Sequence, residues 1–201
     1  GIPAEPLFRS SYSFSGHKMC GPTGVGVLVG RKELLEEMDP LCFGGGMNSF
    51  FEEDYSYELK TVPTKFEAGT PPIAEVIGLG EAIKYLMSIG MDKIHNYEMD
   101  LKKYLIEKIK DIDNLIIYNK NTDSGIISFN IDGVFAQDLS VFLNKYNICV
   151  RAGNHCAKML KDEINIKNTV RVSMYFYNNY DDVDKLVEAL NNNKEIFNII
   201  L

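Results

Sequence analysis

Proline and glycine divide this chain. All seven prolines precede residue 73, and thirteen of the sixteen glycines lie in residues 1–90, whereas sixteen of the seventeen asparagines follow residue 90. Proline fixes φ and removes a backbone donor, and glycine weakens helix and strand interiors. The first part must therefore be built of turns threaded among short strands. The second is free to form regular helices and strands joined by polar connections. We place the boundary at Ser88-Ile89-Gly90, which separates residues 1–90 from residues 91–201. The length of 201 residues suits one large domain or one and a half small ones.

In residues 1–90 the pattern predicts strands over Tyr12–Ser15 and Gly24–Val29, the second of them an apolar run ended by Gly30. Arg31–Met38 reads as a short helix. Leu41–Glu58 has no period and reads as a long loop, a kind of segment that is usually functional or mobile. Pro71-Pro72 starts a helix. Ile73, Val76, Ile77, Leu79, Ala82, Ile83, Leu86 and Met87 ring most of that helix, which predicts that it is buried. In residues 91–201 the periodicity predicts helices over Asp92–Ile112, Ala136–Tyr146 and Asp181–Phe197. Strands are expected at Leu115–Tyr118, Gly125–Ile131, Ile148–Arg151 and Thr169–Tyr175. The order α-β-β-α-β-β-α implies an α+β layer with helices on one face of a small sheet.

Charge and apolar content exclude several classes of function. A net charge of −7 lacks the basic footprint that nucleic-acid binding needs. There is no apolar run of about 18 residues, the length of a membrane-spanning helix. Four cysteines without a framework of even spacings suit a reducing compartment.

Four places carry candidate chemistry. Lys18 follows Ser15-Gly16-His17 at a strand end and precedes the turn Gly21-Pro22-Thr23-Gly24. It reads either as a Schiff-base lysine or as a surface lysine in a loop. Cys156 lies in Arg151-Ala152-Gly153-Asn154-His155-Cys156-Ala157, where glycine frees the backbone and positive charge favours a reactive thiol. A small inert cysteine reads equally well. The cysteines show no CxxC pairing, which argues against zinc. Arg171 sits inside the apolar run Thr169–Ser173 and needs an anion, either a protein acid or a ligand carboxylate. Thr70, in Glu67-Ala68-Gly69-Thr70-Pro71, stands where its hydroxyl can cap a helix or meet a phosphate.

Six motifs run in order along the chain: Phe14-Ser15-Gly16-His17-Lys18-Met19, Gly21-Pro22-Thr23-Gly24, Gly44-Gly45-Gly46-Met47, Phe66-Glu67-Ala68-Gly69-Thr70-Pro71, Arg151 to Ala157, and Arg171 with Ser173. Together they resemble the Suf-type (group II, SufS-like) cysteine desulfurases of the class-V aminotransferase family. Asn154 stands where that family commonly has histidine, and Cys20 where it commonly has tyrosine.

The resemblance implies the C-terminal half of a fold-type-I pyridoxal-phosphate enzyme, α/β and α+β in class. Residues 1–90 would be part of the large cofactor domain, with strands from a parallel sheet, and residues 91–201 a whole small α+β domain. By resemblance Lys18 would hold pyridoxal 5'-phosphate, with Ser15 and His17 at its phosphate. Gly69 and Thr70 would meet the phosphate held by the partner in a homodimer. Arg171 would bind the substrate carboxylate, and Cys156 would accept sulfur. The implied reaction converts L-cysteine to L-alanine and leaves a persulfide for iron-sulfur cluster assembly through an acceptor protein of the SufE or SufU type. A selenocysteine lyase, or a silent fragment that acts as a folding or interaction module, are the alternatives. The implied location is the cytoplasm, with any organelle address ahead of residue 1. Residues 1–10 do not resemble the family strand expected there.

Overall fold

A computed structural model describes residues 11–54 and 56–196. The expectation for residues 1–10 and the end of the last predicted helix at Phe197 lie outside the described residues. The chain forms two compact units, one ending at Ile89 and the other beginning at Gly90.

In the first unit β1 (Ser11–Ser15) and β2 (Gly26–Gly30) pair antiparallel, from Ser11 opposite Gly30 to Ser15 opposite Gly26. This corrects the expectation of parallel strands for this pair. Ten residues separate the two strands (16–25), and a parallel crossover needs a dozen or more. A short helix, α1 (Lys32–Glu37), follows. The segment predicted as one long loop contains a hairpin of β3 (Asn48–Phe51) and β4 (Tyr57–Leu59), whose register shifts between Asn48 and Phe50. That irregularity removes the strict alternation by which a strand is read from sequence.

Helix α2 (Ile73–Ile89) begins just after Pro72, as expected. Its burial is one-sided, which corrects the prediction from its apolar ring. Leu79, Ala82 and Leu86 are buried, but Ile73, Ile77 and Met87 are 60%, 63% and 68% exposed.

The second unit holds α3 (Met91–Ile109), β5 (Leu115–Ile117), β6 (Ile126–Ile131), α4 (Ala136–Lys145), β7 (Arg151–Gly153), α5 (Lys158–Glu163), β8 (Thr169–Ser173) and α6 (Tyr180–Asn191). Its sheet has the order β5-β6-β8-β7 with every pair antiparallel. Along β6, Ile127, Phe129 and Ile131 are buried while Ser128 and Asn130 alternate with them. The buried set packs with Val170 of β8 against Leu101, Leu105 and Ile109 of α3, Phe142 and Leu143 of α4, and Val183 and Leu186 of α6. Each such side chain contributes about 1.5–3 kcal/mol on full burial. Helix α6 opens with a capping box in which Asn179 and Asp182 each accept the other's backbone N–H, at 3.0 and 3.1 Å.

The second unit gains one element and begins one predicted strand later. Helix α5 was not expected; its six residues are too few to show a period. Strand β7 starts at Arg151 rather than Ile148, because the chain is still closing α4 there. Asn147 is left-handed (φ 59°) and the Ile148 N–H donates to Leu143 O at 3.1 Å. No helix among the described residues is long and apolar enough to cross a membrane.

Candidate functional site

In the first unit Ser15 ends β1, and Gly16–Lys18 form a single 3-10 turn. The Gly16 N–H donates to Val25 O at 2.9 Å, and the Gly16 carbonyl accepts from Met19 and Gly21, each at 3.0 Å. A Cβ on Gly21 would lie 2.8 Å from that carbonyl oxygen, and one on Gly16 would lie 3.0 Å from Val25 Cγ1. The absence of side chains at these two positions is what lets the turn close. The closed turn leaves Lys18 exposed beside an open depression of about 760 Å³, bordered by Ser13, Ser15, Met19 and Leu28. Its ammonium has no hydrogen bond or ion pair among the described residues.

The two glycine-bearing loops of this unit meet. The Gly69 N–H donates to Gly45 O at 2.7 Å, and a Cβ on Gly44 would lie 3.3 Å from that of Ala68. Gly46 (φ 89°) and Gly69 (φ 82°) take the left-handed backbone that glycine permits. The hydroxyl of Thr70 caps nothing. Helix α2 begins at Ile73, which puts Pro72 at the N-cap and Thr70 two residues outside it, and Thr70 stays exposed without a hydrogen bond among the described residues. Of the two sequence readings for Thr70, capping is thus removed.

In the second unit Arg151 and Arg171 lie directly opposite each other on β7 and β8, and Ser128 of β6 lies across from Arg171. They occupy the sheet face opposite Val170 and the helices. The buried Nε of Arg171 has no hydrogen-bond partner among the described residues. Among the described residues no acid or other polar group pairs with it.

Beyond Gly153 (φ 127°) the chain turns through Asn154 to Ala157, closed by the Ala157 N–H on Asn154 O at 2.9 Å. His155 (φ 55°) and Cys156 (φ 61°) are consecutive non-glycine residues in the left-handed region, a conformation that costs about 1–3 kcal/mol at each. The thiol of Cys156 is exposed, and Arg151 Nη2 donates to its Sγ at 3.6 Å. Reactive cysteines occur in such partly exposed, electropositive surroundings.

Three side chains brace this turn. Lys161, 7% exposed, donates from Nζ to Gly153 O at 2.5 Å and to Thr169 Oγ1 at 2.8 Å. His155 Nε2 lies 2.9 Å from both Thr169 O and Thr169 Oγ1. A carbonyl can only accept, so Nε2 carries the hydrogen and the buried Nδ1, unpartnered among the described residues, carries the lone pair. Desolvation, then the charge of Lys161, holds His155 below its usual 6.5, and desolvation lowers Lys161 as well. Thr169 could have been suspected from its position two residues before Arg171 on one strand face. Nothing in the sequence distinguishes Lys161 from the other basic residues.

The sequence pattern that defines the aminotransferase class-V family matches residues 11–186. The chain belongs to the class-V aminotransferase family. Among class-V relatives, a probable cysteine desulfurase of Staphylococcus aureus (strain COL) is 48% identical over 198 residues, covering 98% of this chain and 48% of the relative. One from Staphylococcus epidermidis (strain ATCC 12228) is 46% identical over the same length and the same shares. The similarity therefore extends into residues 1–10, contrary to the expectation for that segment. The cysteine desulfurase CsdA of Escherichia coli, solved in its S-sulfonic acid form, superposes with a TM-score of 0.89 at 36% identity, covering 95% of this chain and 47% of that one. The apo cysteine desulfurase of Thermococcus onnurineus NA1 gives 0.85 at 34%, covering 92% and 47%. This class-V chain spans about half the length of the curated relatives it matches.

Proposed function

We propose that this class-V chain carries the lysine, the sulfur-accepting cysteine and the carboxylate-binding arginine of a pyridoxal-phosphate-dependent cysteine desulfurase. The observation that carries the reading is Cys156, an exposed thiol on a strained turn with a guanidinium against its sulfur. The likeness to relatives named cysteine desulfurase points the same way.

The residues present fit the cofactor. Lys18 offers an exposed amine, unpaired among the described residues, at the end of a 3-10 turn, as attachment to an aldehyde requires. The hydroxyl of Ser15 and the ring of His17 beside it have no hydrogen bonds among the described residues and are available to a phosphate. Gly69 and the uncapped Thr70 suit the phosphate of a partner subunit in a homodimer. When bound, pyridoxal phosphate supplies an electron sink for the substrate carbon that bears the amino group.

The side chains of the chain supply the rest. Arg171 holds the carboxylate of L-cysteine, which satisfies the buried Nε–H. Cys156 Sγ takes the substrate sulfur: the substrate C–S bond breaks, an S–S bond forms, and the atoms balance as L-alanine plus an enzyme persulfide. The exposed position of the turn then suits delivery of that sulfur to an acceptor protein of the SufE or SufU type for iron-sulfur cluster assembly, in a reducing compartment such as the cytoplasm.

The test is sulfide and alanine release from L-cysteine by a polypeptide of full family length containing this sequence. Turnover that depends on Lys18 and Cys156 is the expected result; turnover indifferent to Cys156 overturns the reading. Selenocysteine assayed in parallel separates a desulfurase from a selenocysteine lyase. The 201-residue chain alone should show no comparable turnover.

A further inference from the structure

We propose that Lys161 is a positioning residue for Cys156, acting through Thr169 as a latch on the turn that presents the thiol. The inference rests on the reading of Cys156 as the sulfur acceptor. Its geometry stands independently of that reading.

Two adjacent residues in left-handed backbone do not stay there unaided; the surrounding structure must hold them. The turn makes one internal backbone hydrogen bond, Ala157 to Asn154. The remaining restraint comes from outside it. Lys161 reaches back from α5 to fasten Gly153 O, the last carbonyl before the turn. The same ammonium fastens Thr169 Oγ1 on β8, and Thr169 holds the ring of His155, the residue before the thiol. One buried ammonium thus ties the entry of the turn to the strand beside it. A buried ammonium is costly unless its donors are used, and two of its three donors are spent on this connection. The turn so held sets Cys156 Sγ at 3.6 Å from Arg151 Nη2. Without the latch the turn can relax, and the contact of Arg151 with sulfur is lost with it.

A double-mutant cycle on the chain reads this connection. Carbamidomethylation of each cysteine by iodoacetamide is followed by peptide mass spectrometry. Cys149 is exposed in the same unit and serves as the internal reference for folding. Arg151→Gln should slow Cys156 by about fivefold, the factor carried by a hydrogen bond of ordinary net strength. Lys161→Met should slow it by a similar factor and leave Cys149 unchanged. The double variant should be no slower than either single one, because both remove the same contact. Lys161→Arg, which can still donate to both partners, should restore most of the rate. Thr169→Val supplies a second break in the latch without removing the ammonium, and should reproduce the loss if Lys161→Met disturbs Cys149. An unchanged Cys156 rate in Lys161→Met, or effects of Lys161 and Arg151 that multiply, would overturn the latch. Failure of persulfide formation in a full-length polypeptide would instead remove the desulfurase reading and leave the alkylation result standing.

Discussion

Replacing Arg171 by methionine should make the second unit more stable. Its Nε–H is buried and has no partner among the described residues, and Arg151 lies directly opposite on the neighbouring strand. An unsatisfied buried donor costs about 1–3 kcal/mol. A like-charged cross-strand neighbour adds roughly 0.2–1 kcal/mol, at the low end here because Arg151 is exposed to solvent. Methionine keeps most of the aliphatic stem and discards both liabilities. The expected gain is therefore about 1–3 kcal/mol, and for a unit of this size each kcal/mol raises Tm by about 4 °C. Urea and thermal unfolding followed by circular dichroism would measure it, with an unchanged m-value confirming that the native fold is kept. The same substitution in a full-length polypeptide should raise KM for cysteine. A variant that melts below the parent refutes the reasoning, because it means that the guanidinium is satisfied in the folded protein and Arg171 is a structural residue.

Three further outcomes follow from the geometry. In a full-length polypeptide, Cys156→Ala should abolish persulfide, detected by labelling of the sulfur, while the visible absorbance of bound cofactor persists; loss of that absorbance would mean Cys156 has another role. Because His155 is held below its usual 6.5 in the folded state, the unfolded chain takes up the proton first, so stability should be full above pH 6.5 and be lost as pH falls from 6.5 through the depressed value. Urea titrations at a series of pH values should show that loss, and His155→Gln should flatten it. Gly21→Ala should open the Lys18 turn at a cost of about 1–3 kcal/mol, since its Cβ meets a backbone oxygen that cannot rotate away; faster tryptic cleavage after Lys18 would report it.

The four longer helices could be read because their apolar residues repeat over several turns, and the lysine and cysteine motifs because glycine marks the turns that present them. The rest depends on partners distant in sequence. Asn48–Phe51 and Tyr57–Leu59 form a hairpin through a shifted register, and no alternation survives to announce it. Lys102 would be assigned to solvent from its type, yet it is 1% exposed, and its ammonium donates to Thr122 O, Thr122 Oγ1 and Ser124 O at 2.6, 2.8 and 3.0 Å. Lys161 was missed for the same reason: a long side chain reaches carbonyls that only the folded chain brings near. At Thr70 the cap reading fails because α2 begins only at Ile73, which makes Pro72 the N-cap and leaves Thr70 two residues outside it.

The facing arginines of β7 and β8 also make the sheet self-checking. A strand has a period of two, so sliding β8 by one residue turns Val170 and Val172 toward water and drives Arg171 among the side chains of Phe142, Leu143 and Leu186. A misaligned sheet must then hold a guanidinium in an apolar core, which costs far more than the native arrangement. The residue that weakens the correct alignment slightly thereby penalises the incorrect one heavily. An engineer who removed both arginines in pursuit of a higher melting temperature would also remove what tells the strands where to stop.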